Sequence, residues 1–142
     1  MTNTTTHTNY KATVSAMYEA FGRGDVAGIL AQLSKDITWD VTEEPWTPHA
    51  AGVPWLLPRS GHTQVAEFFA IVGAWTYERF EVLDMLVSDT QLAAEVRLIA
   101  DLPNGNRIDE VAIHLWTFAA DGSVIALRRM LDTAANIAAA DV

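Results

Sequence analysis

The most constraining feature of the chain is one run of residues, NGNRIDEVAIHLWTF, which begins at Asn104. Asn104-Gly105 is a strong signal for a two-residue β-hairpin loop, because both loop positions require positive φ and this pair adopts it at little cost. The residues that follow alternate between the two faces of a strand. One face is largely aliphatic, whereas the other places Glu110 and His114 among apolar side chains. The run therefore predicts a hairpin whose second strand carries titratable groups on an otherwise apolar face.

A two-residue loop also predicts the register of this hairpin. Counting outward from the loop places Glu95 opposite His114 and Arg97 opposite Ala112, with the paired Cβ atoms about 5 Å apart. We therefore expect one mixed face made of Glu95, Arg97, Ile99, Glu110, Ala112, His114 and Trp116. The other face would be aliphatic and would consist of Val96, Leu98, Ala100, Val111, Ile113 and Leu115. A one-residue change of register would exchange the faces of one strand.

The rest of the chain predicts an α+β domain. Apolar residues at helical spacing indicate helices over residues 10–22, after an N-cap at Asp25, and from about Thr63, and Asp132 would cap a short C-terminal helix. The predicted strands are residues 37–42, 80–87, 92–102, 108–118 and 124–131. Helices that precede a meander of strands are typical of α+β folds. Residues 1–9 are expected to be a disordered polar tail, and residues 10–142 a single domain.

Residues 43–61 form a long connection that contains four of the five prolines and two tryptophans, Trp46 and Trp55. A loop of this length in a compact domain is usually either functional or disordered, and its apolar bulk argues against disorder. A mobile lid and a static hydrophobic plug, with His49 in either, are both compatible with this composition.

The composition excludes several classes of function. The net charge of −9 disfavours nucleic acid and anionic membranes, which both need a basic surface, and no apolar run approaches the roughly 20 residues that span a bilayer. The chain has no cysteine, so disulfides and thiolate chemistry are excluded and a cytoplasmic location is expected. Metal-binding histidine spacings and glycine-rich phosphate loops are missing, so we expect neither a metal nor another cofactor.

Three stretches carry a resemblance to a known family: GD at Gly24-Asp25, SGHTQVAEFF, and GNRIDEVAIHLWTFAADGSVIALRRMLD. Together they resemble the SnoaL-like members of the nuclear transport factor 2-like superfamily over nearly the whole chain. The resemblance implies a cone-shaped α+β barrel, in which a curved antiparallel sheet wraps around about three helices and encloses a pocket. Relatives include ketosteroid isomerases, limonene epoxide hydrolases, polyketide cyclases and binding domains without activity, so the fold does not decide the function.

The chain departs from the best-known mechanisms of that superfamily. The general base of the isomerases would fall near Val41, and their oxyanion-binding tyrosine would fall at Met17, next to Tyr18. Their protonated aspartic acid would fall at His114, and the inner catalytic aspartate of the epoxide hydrolases at Arg129. The usual isomerase or epoxide hydrolase chemistry is therefore not expected, although a pocket in the same place is.

The predicted catalytic residues are His114, Glu95 and Arg129. An imidazole titrates near neutral pH, and a carboxylate opposite it could hold its tautomer and raise its pKa. Arg129 could orient a carboxylate or an enolate through its guanidinium. Each residue also has a structural interpretation: a core histidine paired with a carboxylate, and a solvated charge at a strand end.

The predicted substrate-binding residues are Arg97, Glu110, Trp116, Trp39, Tyr18 and Trp55. Arg97 and Glu110 could instead form an ion pair that allows both to be buried. The tryptophans are compatible with the core as well as with a pocket wall, and the phenol of Tyr18 could donate to an oxyanion. Asp40 alternates away from Trp39 and is expected to face outward.

These residues lead to two main hypotheses. The first is an enzyme that performs cofactor-free acid–base chemistry, of the isomerase, cyclase, dehydratase or hydratase type, on a small hydrophobic molecule. The alternative is a small-ligand-binding module of the same fold without activity, and a purely structural dimerisation domain is a third possibility. We also expect a homodimer through the convex sheet face, formed by Val96, Leu98, Val111, Ile113 and Leu115.

Overall fold

The computed structural model describes residues 3–41 and 52–141. The described helices are α1 (Asn3–Gly22), α2 (Val26–Leu30), α3 (Gly61–Val72) and α4 (Thr133–Ala140), with a 3₁₀ helix at Pro54–Leu56. The described strands are β1 (Leu33–Trp39), β2 (Arg59–Ser60), β3 (Thr76–Val87), β4 (Gln91–Asp101), β5 (Arg107–Phe118) and β6 (Val124–Met130). The predicted α+β class is confirmed.

The six described strands form one curved, unclosed sheet in the order β2-β1-β6-β5-β4-β3. All neighbours are antiparallel except β1 and β6, which are parallel. Apolar residues of α1 and α3 pack on the concave face, and the buried core includes Val14, Met17, Val65, Phe68 and Phe69. Within residues 3–41 and 52–141, none of the helices is both long and apolar enough to pass through a lipid bilayer.

The N-terminal segment differs from its prediction. Residues 3–9 belong to α1, whereas a disordered tail was expected there. Specific contacts hold this first part of the helix: the Tyr10 ring stacks on Phe118 at 3.8 Å, its hydroxyl donates to the Asp89 carbonyl at 2.9 Å, and His7 lies 3.2 Å from the Asp89 carboxylate. The predicted caps at Asp25 and Asp132 are confirmed, because each carboxylate accepts a backbone N–H of the helix that follows it.

The β4–β5 hairpin has a three-residue loop instead of the predicted two-residue loop. Leu102 N–H donates to the Asn106 carbonyl at 2.8 Å, so these two residues oppose each other, and Gly105 N–H donates to the Leu102 carbonyl at 2.9 Å. Within this hairpin only Gly105 has positive φ, at 88°. This is a turn followed by a left-handed glycine, and Pro103 suits its second position because the ring fixes φ near −65°.

The longer loop moves β4 by one residue relative to β5. Ala94 lies opposite His114, Val96 opposite Ala112, and Leu98 opposite Glu110. The predicted pairs of Glu95 with His114 and of Arg97 with Ala112 are therefore wrong.

The shift exchanges the faces of β4 and leaves those of β5 unchanged. Glu95 and Arg97 lie on the convex face, where their partners are Ile113 and Val111. Val96 and Leu98, which were assigned to that convex dimer face, instead line the interior of the fold.

Candidate functional site

The concave side of the sheet lines a partly open cavity of about 80 Å³. Residues of all four helices, the 3₁₀ helix and the sheet contribute to its wall. Nearly half of the residues in this wall are aromatic, and their rings belong to Tyr18, Phe21, Trp39, Trp55, Phe68, Phe69, Trp75, Tyr77, Phe80 and Trp116. Four further polar or charged side chains reach it: Glu110, His114, Arg129 and Asn136. Apolar walls with a few polar groups are typical of ligand sites.

Strand β5 places polar groups at two separate positions along this cavity. Glu110, Ala112, His114 and Trp116 all line it, as expected for alternate residues of one strand. Four residues of extended chain separate the Cα atoms of Glu110 and His114 by about 13 Å. We call the surroundings of Glu110, Asn136 and Trp55 the glutamate end, and those of Tyr18, His114, Trp116 and Arg129 the histidine end.

A chain of hydrogen bonds organises the histidine end. The Trp116 indole N–H donates to the Tyr18 hydroxyl oxygen at 3.1 Å, and that oxygen lies 2.7 Å from Nδ1 of His114. Because an indole can only donate, the Tyr18 hydroxyl keeps its own hydrogen available to donate to His114. Tyr18 thus orients the imidazole, a role that was predicted for Glu95.

The same surroundings keep the histidine end uncharged apart from Arg129. Burial lowers the pKa of His114 to about 3, and the positive charge of Arg129 acts in the same direction. Burial also raises the pKa of Tyr18 above its ordinary value, although the hydrogen bond from Trp116 opposes this. Near neutral pH, His114 is therefore a neutral hydrogen-bonding group, and the expected rise of its pKa is wrong.

Arg129 is held in a buried ion pair. Its Nε and Nη2 donate to Oδ2 of Asp40 at 2.8 and 2.7 Å, and Nη2 also donates to the carbonyl of Trp55. The guanidinium lies over the Phe68 ring at 4.6 Å. Asp40 was expected to face outward, but its φ of 58° breaks the strand alternation after Trp39 and turns the carboxylate toward Arg129.

An amide connects the groups of the glutamate end. The Trp55 indole N–H donates to Oδ1 of Asn136 at 2.8 Å. Nδ2 of Asn136 donates to Oε1 of Glu110 and to the carbonyl of Asp132, both at 2.8 Å. Asn136 lies on α4 and is only 1% exposed, so these bonds are shielded from water.

Glu110 has no cationic partner within salt-bridge distance in the described part of the chain. Arg97, its predicted partner, pairs with Asp109 on the convex face. Burial raises the pKa of Glu110, whereas hydrogen bonds from Asn136 and the Asp132 backbone and the charge of Arg129 oppose the rise. The result is a lone carboxyl group in an apolar cavity, which is a recognised feature of functional sites.

The structure brings most of the predicted site residues together and leaves two outside. Residues at the cavity are Tyr18, Trp39, Trp55, Glu110, His114, Trp116 and Arg129. Glu95 and Arg97 lie on the opposite face, while Trp46 and His49 lie outside the described residues. Sequence reasoning missed Asn136, whose signal was a lone amide inside the alanine-rich segment DTAANIAAADV. No group of three or more His, Asp or Glu side chains within residues 3–41 and 52–141 is placed to bind a metal ion.

Comparison with known proteins gives a family match. The SnoaL-like domain family matches residues 14–127 of the chain. No curated protein matches the chain at a significant level.

Solved structures match the fold over nearly the whole chain. An NTF2-like protein of unknown function from Burkholderia pseudomallei is 23% identical, with a TM-score of 0.78 over 94% of this chain and 98% of that one. TerC, crystallised with polyporic acid, is 20% identical, with a TM-score of 0.76 over 94% of this chain and 99% of that one. A protein provisionally assigned as a polyketide cyclase, from Xanthomonas campestris pv. campestris, is 21% identical, with a TM-score of 0.69 over 95% and 98%. At these identities the similarity concerns the fold.

Proposed function

Because the chain belongs to the SnoaL-like domain family, we propose that it is an enzyme that moves a proton within a small, uncharged hydrophobic molecule, without a cofactor. The isomerase, cyclase, dehydratase and hydratase reactions all include a proton transfer to or from the substrate. The observation that carries the proposal is the lone carboxyl group of Glu110 in a cavity rich in aromatic rings, with the neutral imidazole of His114 four residues further along the same strand. One fold neighbour is provisionally assigned as a polyketide cyclase, which agrees with this class of chemistry.

Glu110 is the group that transfers the proton. A general acid or base works best when its pKa lies close to the working pH, and burial moves the pKa of Glu110 upward from the usual range of carboxyl groups. Its carboxylate removes a proton from a carbon next to a carbonyl, and the resulting acid returns the proton to another atom of the same molecule. His114 is a poor base near neutral pH, because its pKa is about 3.

The histidine end holds the carbonyl oxygen of the substrate. When His114 carries its hydrogen on Nδ1, it donates to Tyr18, and the Tyr18 hydroxyl is then free to donate to the substrate. The Tyr18 phenol oxygen then accepts two hydrogen bonds, from His114 and from Trp116. These bonds make the Tyr18 hydroxyl a stronger donor to the negative charge that develops on the substrate. Arg129 has a structural role, because its guanidinium already donates hydrogen bonds to Asp40 and to the Trp55 carbonyl.

A binding module without activity is the second candidate. It is favoured by the histidine end, where the polar side chains already satisfy one another and need no ligand. In this case Glu110 would only fix the orientation of a ligand through a hydrogen bond.

Deuterium exchange tests the proposal without knowledge of the natural reaction. One-, two- and three-ring enolisable ketones, including 2-tetralone, are incubated with the protein in D₂O, and uptake at the α-carbon is followed by NMR. We expect catalysed uptake by the wild type and a decrease of about 10²–10⁴-fold in Glu110→Gln, because a positioned acid or base contributes about that factor.

The matched control is Glu95→Gln, which removes a carboxylate from the opposite face of the neighbouring strand. Its exchange rate should equal that of the wild type. Ketones that raise the thermal midpoint but take up no deuterium would favour the binding module. Equal exchange by the wild type and Glu110→Gln would contradict the proposed role of Glu110.

We further propose that the protein forms a homodimer through the convex sheet face. With the observed register, that face carries Val111, Ile113, Leu115 and Met130, of which Val111 and Met130 are exposed. Light scattering of Val111→Lys should then give the monomer mass at concentrations where the wild type gives a dimer. We also propose a cytoplasmic location, which the lack of cysteine favours.

A further inference from the structure

We propose that Asn136 is a positioning residue: oriented by Trp55, its amide N–H occupies Oε1 of Glu110 and leaves Oε2 as the oxygen that exchanges a proton with the ligand. The inference rests on the proposed function of Glu110. It goes further by assigning the two carboxyl oxygens different roles and by giving Trp55 and α4 a part in the chemistry.

The partners of the Asn136 amide define its orientation. The Trp55 indole nitrogen can only donate, so the atom of Asn136 that faces it at 2.8 Å must be the oxygen. The amide nitrogen then faces two acceptors, Oε1 of Glu110 and the Asp132 carbonyl. The reversed amide would place its N–H against the indole N–H and its oxygen against two oxygens. The network therefore admits one orientation.

This orientation decides which oxygen of Glu110 can carry a proton. A proton on Oε1 would turn that oxygen into a hydroxyl, which accepts the Asn136 N–H less well than a carbonyl oxygen does, in a site shielded from water. A proton on Oε2 keeps Oε1 as the carbonyl oxygen of the neutral acid and keeps this hydrogen bond strong. The proton of the neutral acid therefore lies on Oε2, and Oε2 is also the oxygen that removes a proton when Glu110 is ionised.

The pKa of Glu110 depends on Asn136 as well as on the charged groups nearby. The Asp132 backbone N–H and the charge of Arg129 also favour the ionised form, and the Asp132 carboxylate disfavours it, while the Asn136 N–H is the side-chain hydrogen bond that favours it. Tyr77 lines the same cavity, but its hydroxyl donates to the Val72 carbonyl at 2.8 Å and it stays neutral because burial raises its pKa. Loss of the Asn136 N–H should therefore raise the pKa of Glu110.

The protein offers a matched control on the same helix. The side chains of Asn104 and Asn106 both donate to the Ala139 carbonyl, at 2.9 and 3.0 Å, and so hold the C-terminal end of α4. Asn106→Ala removes one of these two bonds but keeps the amide at Glu110. This variant therefore distinguishes the effect of losing the Asn136 N–H donor from the effect of a less stable α4.

The experiment is a pH titration of the ligand-free protein labelled with ¹³C at the glutamate carboxyl carbons, with the Glu110 signal assigned by its absence in Glu110→Gln. We expect Asn136→Leu to raise the pKa of Glu110 by about one unit or more, because a hydrogen bond to the ionised form is lost. Asn136→Asp, which keeps the shape and the acceptor for Trp55, should raise it at least as much. Trp55→Phe should raise it by less, and Asn106→Ala should leave it within about 0.2 units of the wild type.

Two results would overturn the inference: a pKa of Glu110 that does not rise in either Asn136 variant, or an equal rise in Asn106→Ala. An unchanged pKa in Trp55→Phe would remove Trp55 from the role. Because the titration needs no substrate, its outcome is independent of the deuterium exchange. A rise in the Asn136 variants without exchange by the wild type would contradict the proposed enzyme and keep the positioning role.

Discussion

Buried polar groups are stabilised in different ways at the two ends of the cavity. At the histidine end, Tyr18, His114 and Trp116 bond to one another, and the charge of Arg129 is balanced by Asp40. At the glutamate end, one carboxyl group receives hydrogen bonds from the Asn136 amide and the Asp132 backbone and has no ion-pair partner among the described residues. Both ends lie on the same face of β5, so the strand itself does not cause the difference.

The comparison indicates which end can do chemistry. A fully partnered polar network rigidifies a protein, whereas a carboxyl group with an open oxygen keeps a proton available for exchange. We therefore assign orientation of the substrate to the histidine end and proton transfer to the glutamate end. The two ends should also respond oppositely to pH, since burial lowers the pKa of His114 and raises that of Glu110.

The largest effect is expected at the ion pair of the histidine end. Asp40→Asn would leave the Arg129 guanidinium buried without a counter-charge and should lower the free energy of unfolding by about 3–5 kcal/mol, measured by urea denaturation. Asp36→Asn, an exposed position on the same strand, should change it by less than about 0.5 kcal/mol. An Asp40→Asn loss below about 1 kcal/mol would mean that the pair is largely solvated.

The next effect is the pH dependence of stability that His114 contributes. Its pKa is about 3 in the folded protein and near 6.5 when unfolded, so the unfolded chain binds more protons between these values. Stability due to this group is therefore complete above pH 6.5 and is lost as the pH falls. Between pH 6.5 and 5, the wild type should lose about 2 kcal/mol more than His114→Gln. Parallel stability curves for the two proteins would show that His114 is not desolvated.

A smaller effect on stability is expected for removal of the Tyr18 hydroxyl, which connects His114 and Trp116. Tyr18→Phe leaves the Trp116 N–H and Nδ1 of His114 without their partner and should cost about 1–2 kcal/mol of unfolding free energy. Urea denaturation of Tyr10→Phe gives a comparison, because that hydroxyl bonds to a backbone carbonyl away from the cavity. A gain of stability in Tyr18→Phe would show that the network is strained.

The smallest effect on stability is expected at the glutamate end, and the direction in which stability changes with pH is what is tested. Because the pKa of Glu110 is raised on folding, the folded protein binds more protons than the unfolded chain just above pH 4.5. The stability from this group is complete below that pH and is lost as the pH rises through the folded pKa. The wild type should thus lose stability relative to Glu110→Gln over this range, the opposite direction to His114. A relative gain would mean that an unrecognised cation pairs with Glu110.

The sequence predicted the fold class and one wall of the site, and it failed at the hairpin loop. Alternation within β5 placed Glu110, His114 and Trp116 on one face, because strand periodicity is local. The face of β4 depends on the loop length, and a single residue moved Glu95 and Arg97 to the convex side. Pro103 was the overlooked signal, since it favours a turn that begins at Leu102.

Other parts of the site depend on contacts that no local pattern contains. Asp40 reaches Arg129 through a left-handed backbone conformation, which aspartate adopts more readily than most residues but which the strand pattern ITWDVT does not predict. Asn136 meets Glu110 and Trp55 only because α4 folds back over the cavity. Tertiary packing, and not residue type, brings these partners together.

One titration tests the contrast between the two ends most directly. In protein labelled with ¹⁵N in the histidine rings and ¹³C at the glutamate carboxyl carbons, the signals of His114 and Glu110 are followed from pH 8 downward. We predict that Glu110 takes up its proton above pH 4.5 while the His114 ring remains neutral through that step. Protonation of His114 near pH 6.5, with Glu110 still ionised below pH 4.5, would contradict it.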